Sequence, residues 1–216
     1  MIFNTTKRII FLAALLLISK NVSAQTFFNN ARADYDSYYE NKFGFEVNAN
    51  ISNTTNALNF TTSNQVSFST GLVFSLPYKY PVTIVPMVLY SQKGFVGNTP
   101  YGRFTQRSDF IDIPLLAKIT ITGPLIVYVG PQASLLITTA NTYDEGFAPE
   151  SQVYYEYTGS KITYQGVAGI GFNLDNTVNI HARYAIDIAK KYGNANQYYV
   201  PGYRRTVIQF GVGFNL

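Results

Sequence analysis

The chain of 216 residues has no cysteine, no tryptophan and a single histidine, His181. Without cysteine there is no disulfide, no thiolate metal site and no lipid-modified N-terminal cysteine. With one histidine, a zinc centre of the usual His/Cys kind has too few ligands. Charge is scarce as well, at 13% of residues. The formal net charge of +4 includes Lys7, Arg8 and Lys20, which lie in an N-terminal stretch that holds no acid. Residues 25–216 are left with thirteen basic against twelve acidic side chains, and the electrostatic basis for nucleic-acid binding disappears. Long apolar runs are also missing. The longest, Ile9–Ile18, falls well short of the roughly 20 residues that a membrane-spanning helix needs.

That short run is preceded by Lys7-Arg8 and followed by Val22-Ser23-Ala24. A charged start, an apolar middle and small residues at the end read as a secretory signal peptide, cleaved between Ala24 and Gln25. We therefore expect a signal peptide over 1–24 and a polar, tyrosine-rich periplasmic lead-in over 25–41. Residues 42–216, with no Pro/Ser linker or charge block to divide them, form one domain.

What the chain has in abundance is tyrosine and phenylalanine, 18 and 16 residues, and a period of two. The final stretch, Arg204–Leu216, sets Ile208, Phe210, Val212, Phe214 and Leu216 against Gln209, Gly211, Gly213 and Asn215. Such alternation is a β-strand with one large apolar face and one small polar face. Left unpaired, it would invite aggregation. Closing the sheet into a barrel removes the edge, and lipid takes the apolar face.

The same pattern predicts seven earlier strands: 42–52, 65–76, 82–95, 106–120, 125–138, 162–174 and 177–188. The count of eight is even, and each strand has the roughly ten residues that a tilted membrane strand requires. The connections after the second, fourth and sixth strands (Pro77–Pro81, Ile121–Pro124, Asp175-Asn176) are short, and those after the first, third, fifth and seventh are long and polar. Outer-membrane barrels combine tight periplasmic turns with longer outside loops in this way. A lipocalin-like soluble barrel, with its apolar face turned inward, is the alternative. The small polar face read here as Gly, Ser, Asn and Gln suits a narrow interior better than a surface. The expected architecture is an eight-stranded antiparallel transmembrane β-barrel, an up-and-down meander of OmpA/OmpX size, with both termini periplasmic.

Tyr90-Ser91-Gln92-Lys93-Gly94, the run Phe110–Lys118 (FIDIPLLAK) and Gly130-Pro131 resemble the Bacteroidetes outer-membrane β-barrel family, the PorT-like "porin family" group. The similarity spans most of Lys42–Leu216. Met87 stands where family members usually carry a glutamate, and Asp112 keeps the acidic residue of the fourth strand. The resemblance implies location and architecture, and for PorT itself a link to a secretion apparatus.

The inward face includes eight ionisable residues: Glu46, Lys93, Asp112, Lys118, His181, Arg183, Asp187 and Arg205. Counting from the turns matches Lys93 with Asp112 and Asp187 with Arg205, while Arg183 and Glu46 lie lower and meet across the interior. Since an unpaired buried charge is disfavoured, these residues are expected to cross-link the lumen into a plug. His181 has no nucleophile or second metal ligand positioned beside it in the sequence, so a hydrogen-bonded lumen role is expected rather than catalysis. Three prolines inside strands, Pro86, Pro114 and Pro131, each lack an N–H. They should cluster at one level as bulges or loosened pairing. Two long connections are rich in tyrosine: 139–161, with Tyr143, Tyr154, Tyr155 and Tyr157, and 189–203, with Tyr192, Tyr198, Tyr199 and Tyr203. They are candidates for loop binding or for an aromatic girdle at the outer leaflet.

These readings point to a non-enzymatic outer-membrane protein without cofactor or metal. It would act through its loops or periplasmic rim on an envelope or secretion partner, with a small passive solute channel as the alternative and a hydrolase behind that. The expected partners are outer-membrane lipid, lipopolysaccharide and the barrel-assembly machinery, which would recognise the C-terminal strand; nucleic acid is not expected.

Overall fold

The computed structural model describes residues 40–55, 61–99, 102–144, 161–189, 191–195 and 198–216. The predicted signal peptide and nearly all of the lead-in lie outside them. Among the described residues the secondary structure is β throughout. The strands are β1 (Lys42–Thr55), β2 (Thr61–Lys79), β3 (Val82–Thr99), β4 (Gly102–Thr122), β5 (Leu125–Tyr143), β6 (Ile162–Asn173), β7 (Val178–Asp187), β8 (Lys191–Ala195) and β9 (Tyr198–Asn215). Every pairing is antiparallel. β1 to β7 and β9 pair in sequence order, and β9 pairs back onto β1, which closes a ring of eight strands. The short β8 stands outside that ring and pairs only with the start of β9, Lys191 opposite Tyr203 and Ala195 opposite Tyr198.

Closure follows from the alternation. Phe45, Val47, Ile208, Phe210 and Val212 point outward and stay at least a third exposed or half-buried, while Glu46, Asn48, Asn50, Val207 and Gln209 are buried inside. At the closing seam Phe45 lies opposite Phe214, and their rings stack at 4.9 Å; Phe43 packs on Phe74 at 5.1 Å. These aromatics form an outward girdle at the end that carries both the start of β1 and the C-terminus, here called the turn end. Register also sets the tilt. The row of paired residues starting at Glu46 runs through Gly71, Leu89, Asp112 and Ser134 to Thr163, near the opposite end of β6. A closed sheet needs such a stagger.

The turn-end connections are tight. Tyr80-Pro81 joins β2 to β3, and Gly123-Pro124 joins β4 to β5 with Gly123 at φ +48°, a left-handed conformation that favours glycine. Between β6 and β7, Asp175 accepts the backbone N–H groups of Thr177 and Val178 at 2.7 and 2.6 Å, so its side chain holds the turn.

The far, loop end departs from the expected boundaries. The predicted long connection 96–105 is almost all strand, because the β3–β4 ladder continues to Thr99 opposite Gly102. Short and long connections therefore do not alternate strictly. β5 likewise runs on to Tyr143, and β9 begins at Tyr198 rather than Arg204. The apolar outward residues that mark a strand in the sequence stop at the lipid boundary, while hydrogen-bonded pairing continues beyond it with Thr, Asn and Arg facing out.

The prolines loosen the wall without bulging it. In β3–β4 the partners run from Pro86–Leu115 directly to Leu89–Asp112, in β4–β5 from Pro114–Gln132 to Ala117–Val129, and in β2–β3 from Val73–Met87 to Leu76–Ile84. Register is unchanged across each gap, so no residue is inserted. The true register irregularities lie elsewhere, at Asn64/Ser69, Pro77/Lys79, Asp109/Phe110 and Thr120/Thr122. The β5–β6 ladder passes through Pro131–Gly166 unbroken.

The barrel interior as candidate functional site

The interior is a filled core whose chemistry changes from one end to the other. Nearest the turn end, Lys118, Ser75, Asn179 and Asn215 point inward from β4, β2, β7 and β9 around a small pocket also lined by Glu46 and Met87. Of the eight predicted lumen residues, Lys118 stands apart. It has no carboxylate within ion-pair distance among the described residues, so it is not a member of the cross-linked plug.

One step inward, Arg183 of β7 pairs with Glu46 of β1, both almost fully buried. Asn48 donates to Glu46 Oε1 at 3.0 Å, and His181 bridges Asn48 at 2.8 Å and Asn179 at 3.2 Å. β9 lies between β1 and β7, and its inward residues here are Gly211 and Gly213. A Cβ on Gly211 would fall into the Asn48 amide and the His181 ring, and one on Gly213 into the Asn179 amide. The glycines of the small face thus give the side chains of two non-adjacent strands room to meet. The partners of His181 are amides, the Glu46 carboxylate at 3.8 Å and the edge of Tyr128, 6.0 Å between centroids, and Arg183 also reaches Met87 Sδ at 3.3 Å.

Opposite this cluster the interior is apolar. Val73, Val85, Met87, Leu89, Leu116, Ile126, Tyr128 and Val167 pack into one buried group with Ala185 and Val207. A wholly polar lumen face is therefore incorrect for β3 to β5, and β2 adds Val73 to the same group. There both faces of the strands are apolar, and alternation alone does not separate them.

Above this group lies a second polar knot. Lys93 Nζ meets Asp112 Oδ2 at 2.7 Å, Gln165 Oε1 at 3.1 Å and Ser134 Oγ at 3.2 Å. Gln165 donates to Asp187 Oδ1 at 2.7 Å, and Asp187 Oδ2 accepts the Arg205 backbone N–H at 3.1 Å. The expected Asp187–Arg205 side-chain pair is absent among the described ion pairs, and the Arg205 guanidinium instead sits 4.8 Å over the Phe110 ring. Register places Asp112 opposite Leu89, four residues from Lys93, so the lysine stem spans a stagger that counting from the turns had missed. Gln132, Ser134, Asn50, Ser69 and Gln209 link the charged groups into the wall. Sequence reasoning singled out the charges and passed over these neutral linkers, whose signal was an amide or hydroxyl at inward parity.

At the loop end Phe95, Phe104 and Tyr143 close the interior, with ring centroids 5.9 and 6.0 Å apart. Tyr143 was expected in a binding loop. It is instead the last residue of β5, packed on Phe104. Tyr192, Tyr198, Tyr199 and Tyr203 belong to β8 and β9 rather than to a loop, with side chains outside the described set; Tyr154, Tyr155 and Tyr157 lie wholly outside it. Among the described residues no group of three or more His, Asp or Glu could hold a metal ion.

Comparison with known proteins adds the family. The family described as outer membrane protein β-barrel domain matches residues 24–189. No curated protein matches the chain. Solved structures similar to it include Neisserial surface protein A, at 15% identity and a TM-score of 0.48, covering 81% of this chain and 97% of that one. The attachment invasion locus protein Ail of Yersinia pestis gives 10% identity and a TM-score of 0.47, covering 82% and 99%. OprG of Pseudomonas aeruginosa gives 12% and 0.42, covering 81% and 97%. The matched segment spans well over half of the chain and takes in seven of the eight ring strands, and the eighth closes the ring against β1. An apolar outer surface on a closed, edgeless sheet is the form in which β-structure crosses lipid, and the chain belongs to the outer membrane protein β-barrel domain family, as an eight-stranded barrel of the bacterial outer membrane.

Proposed function

We propose that this protein is a non-enzymatic outer-membrane barrel whose interior serves stability and whose work is done at its rims, by contact with an envelope or secretion partner of the kind suggested by the PorT-like resemblance. The observation that carries the reading is the filled interior. From the Glu46–Arg183 pair through the apolar group and the Lys93–Asp112 knot to Phe104, buried side chains occupy the whole height of the lumen. An eight-stranded barrel is just wide enough for side chains to fill. In this reading residues 1–24 are removed as a signal peptide, 25–41 lead in from the periplasm, the turn end faces the periplasm and the loop end faces outward. Lipid and lipopolysaccharide surround the wall, and the assembly machinery engages β9.

The competing reading is a small solute channel. Reconstitution in a planar bilayer separates the two: wild-type protein gives no steady conductance, whereas Asp112→Ala or Asp187→Ala, which cut the upper knot, admits intermittent current. Steady open conductance of the wild type would sink the rim reading in favour of the channel. Affinity capture from native membranes then identifies the partner, and a stoichiometric companion is the expected result.

A further inference from the structure

One seam of the wall is held by side chains instead of by a ladder. β2 pairs with β3 at Ser69–Ser91 and again at Asn64–Phe95, but between these points Gln65–Phe68 face Gln92–Gly94 without a bridge, four residues against three. The ladders on either side are continuous: Gln65, Val66 and Ser67 pair with Ser52, Ile51 and Asn50 of β1, and Gln92–Gly94 pair with Arg107–Asp109 of β4. The extra residue makes β2 stand away from β3, and Val66 on its outer face is 67% exposed. The backbone of β3 is taken instead by β1, two strands away. Gly94 donates its N–H to Ser52 Oγ at 2.8 Å, and the same hydroxyl donates to Gly94 O at 2.8 Å. Gln92 O accepts from Asn50 Nδ2 at 3.1 Å and from Ser67 Oγ. A hydroxyl that both accepts and donates replaces one residue of a partner strand.

We propose that this seam is a side latch, in which Gln65–Phe68 swing away from β3 when Asn50, Ser52 and Ser67 let go, while the rest of the ring stays closed. Two features favour opening here. A continuous ladder parts only when a run of backbone bonds breaks together, whereas the latch is three side chains that each release by a change of rotamer. The seam also lies where the apolar wall ends. Val66 is the last apolar residue on the outer face of β2, Asn64 follows it towards the loop end, and Gln92 donates to Asp109 at 3.0 Å on the outer face of β3 and β4. Backbone groups freed at that height meet water, while groups freed deeper in the wall would meet hydrocarbon. The consequence is a route to a buried lysine. Lys93 is the middle residue of the β3 segment, and its ammonium holds Asp112, Ser134 and Gln165. With the mouth closed by Phe95, Phe104 and Tyr143, the opened seam reaches this knot from the side. A transient side opening passes no steady current and leaves the lumen filled.

The chain has no cysteine, so single cysteines report on the wall without background. Ser91, Ala185 and Ser108 are each at most 1% exposed. Ser91 flanks the seam, Ala185 lies between the intact ladders of β7 with β6 and β9, and Ser108 lies nearer the mouth on β4. Each is replaced by cysteine in the full barrel in lipid nanodiscs, and its reaction with a small, uncharged, water-soluble maleimide is timed by mass spectrometry. Ser91→Cys is expected to react at least about ten times faster than either of the others. Ser52→Ala removes both hydrogen bonds to Gly94; it should raise the Ser91→Cys rate roughly tenfold further and leave the Ala185→Cys rate unchanged. Equal rates for Ser91→Cys and Ala185→Cys would mean that the wall is no weaker at this seam. Ser108→Cys reacting first would mean entry through the mouth, and a parallel rise of both rates in Ser52→Ala would mean general loosening; each of the three overturns the proposal. If Ser52→Ala does not fold, the order of the three cysteines still decides.

Discussion

Glu46 shows how much of the interior hangs on single side chains. It accepts from Arg183 and Asn48 and lies 3.8 Å from His181, so its neutralisation strands a guanidinium in a dry interior. Glu46→Gln is expected to destabilise the barrel by about 3–5 kcal/mol, the cost of leaving one partner of a buried pair alone. Unfolding by urea in lipid vesicles measures it, and Glu46→Gln combined with Arg183→Met should recover most of the loss; an additive double variant would show that the two residues are not coupled. Gly211→Ala tests the space that lets Asn48 and His181 meet. The added methyl displaces the Asn48 amide and should cost about 1–3 kcal/mol, as overpacking does, whereas Gly166→Ala, whose Cβ meets nothing within 4 Å, should be near neutral. At this scale the sequence was only half legible. Parity put Glu46, Lys93, Asp112 and Arg183 inside, but who touches whom depends on stagger: Arg205 lies over Phe110 instead of pairing with Asp187, and Lys118 stays outside the network.

Among the elements, β9 has the largest consequence for assembly. It joins β7 to β1 along most of its length, from Arg204 opposite Thr55 to Asn215 opposite Gly44. Removing Phe214–Leu216 takes away the stacked Phe45 contact and the last pairs of the seam, and leaves the start of β1 unpaired on its β9 side. The truncated chain should yield no heat-modifiable band in outer-membrane fractions; normal insertion would show that closure tolerates an open end. β1, β2, β6, β7 and β9 were readable because large apolar and small polar residues alternate in them. In β3, β4 and β5 the inward Val85, Met87, Leu89, Leu116 and Ile126 are as apolar as the outward Ile84, Val88 and Leu115, so the strands could be found but their faces could not. Ends were misread for a different reason. Hydropathy marks where lipid stops, and Val96–Thr99 with Gly102–Thr105 go on pairing after that point.

For the whole molecule, solvent is divided by height as well as by face. Val47 is 49% exposed in the middle of the outward stripe of β1, and Phe43 lies near its turn end. Arginine in place of Val47 should cost about 2–4 kcal/mol and in place of Phe43 about 0–1 kcal/mol, the depth dependence of a charge on a lipid-facing wall. Equal costs at the two positions would place the lipid boundary elsewhere. The eight-stranded ring itself was legible from the period of two and the even count, because both are imposed by the membrane. The apolar group within it was not, since nothing in a periodic pattern distinguishes a core from a bilayer. The row through Pro86, Leu115 and Pro131 follows from the register, and it gives the tube a crease. In an unbroken ladder each amide N–H is held by one neighbouring strand, and deuterium enters only when that ladder opens. Along the crease a proton has fewer bonds to escape. Amides of Val85, Met87, Val88, Ile113, Leu115 and Leu116 should therefore exchange at least about ten times faster than those of Val47–Ile51 at the β1–β9 seam, and a cylinder squeezed by its bilayer would flex along this line first.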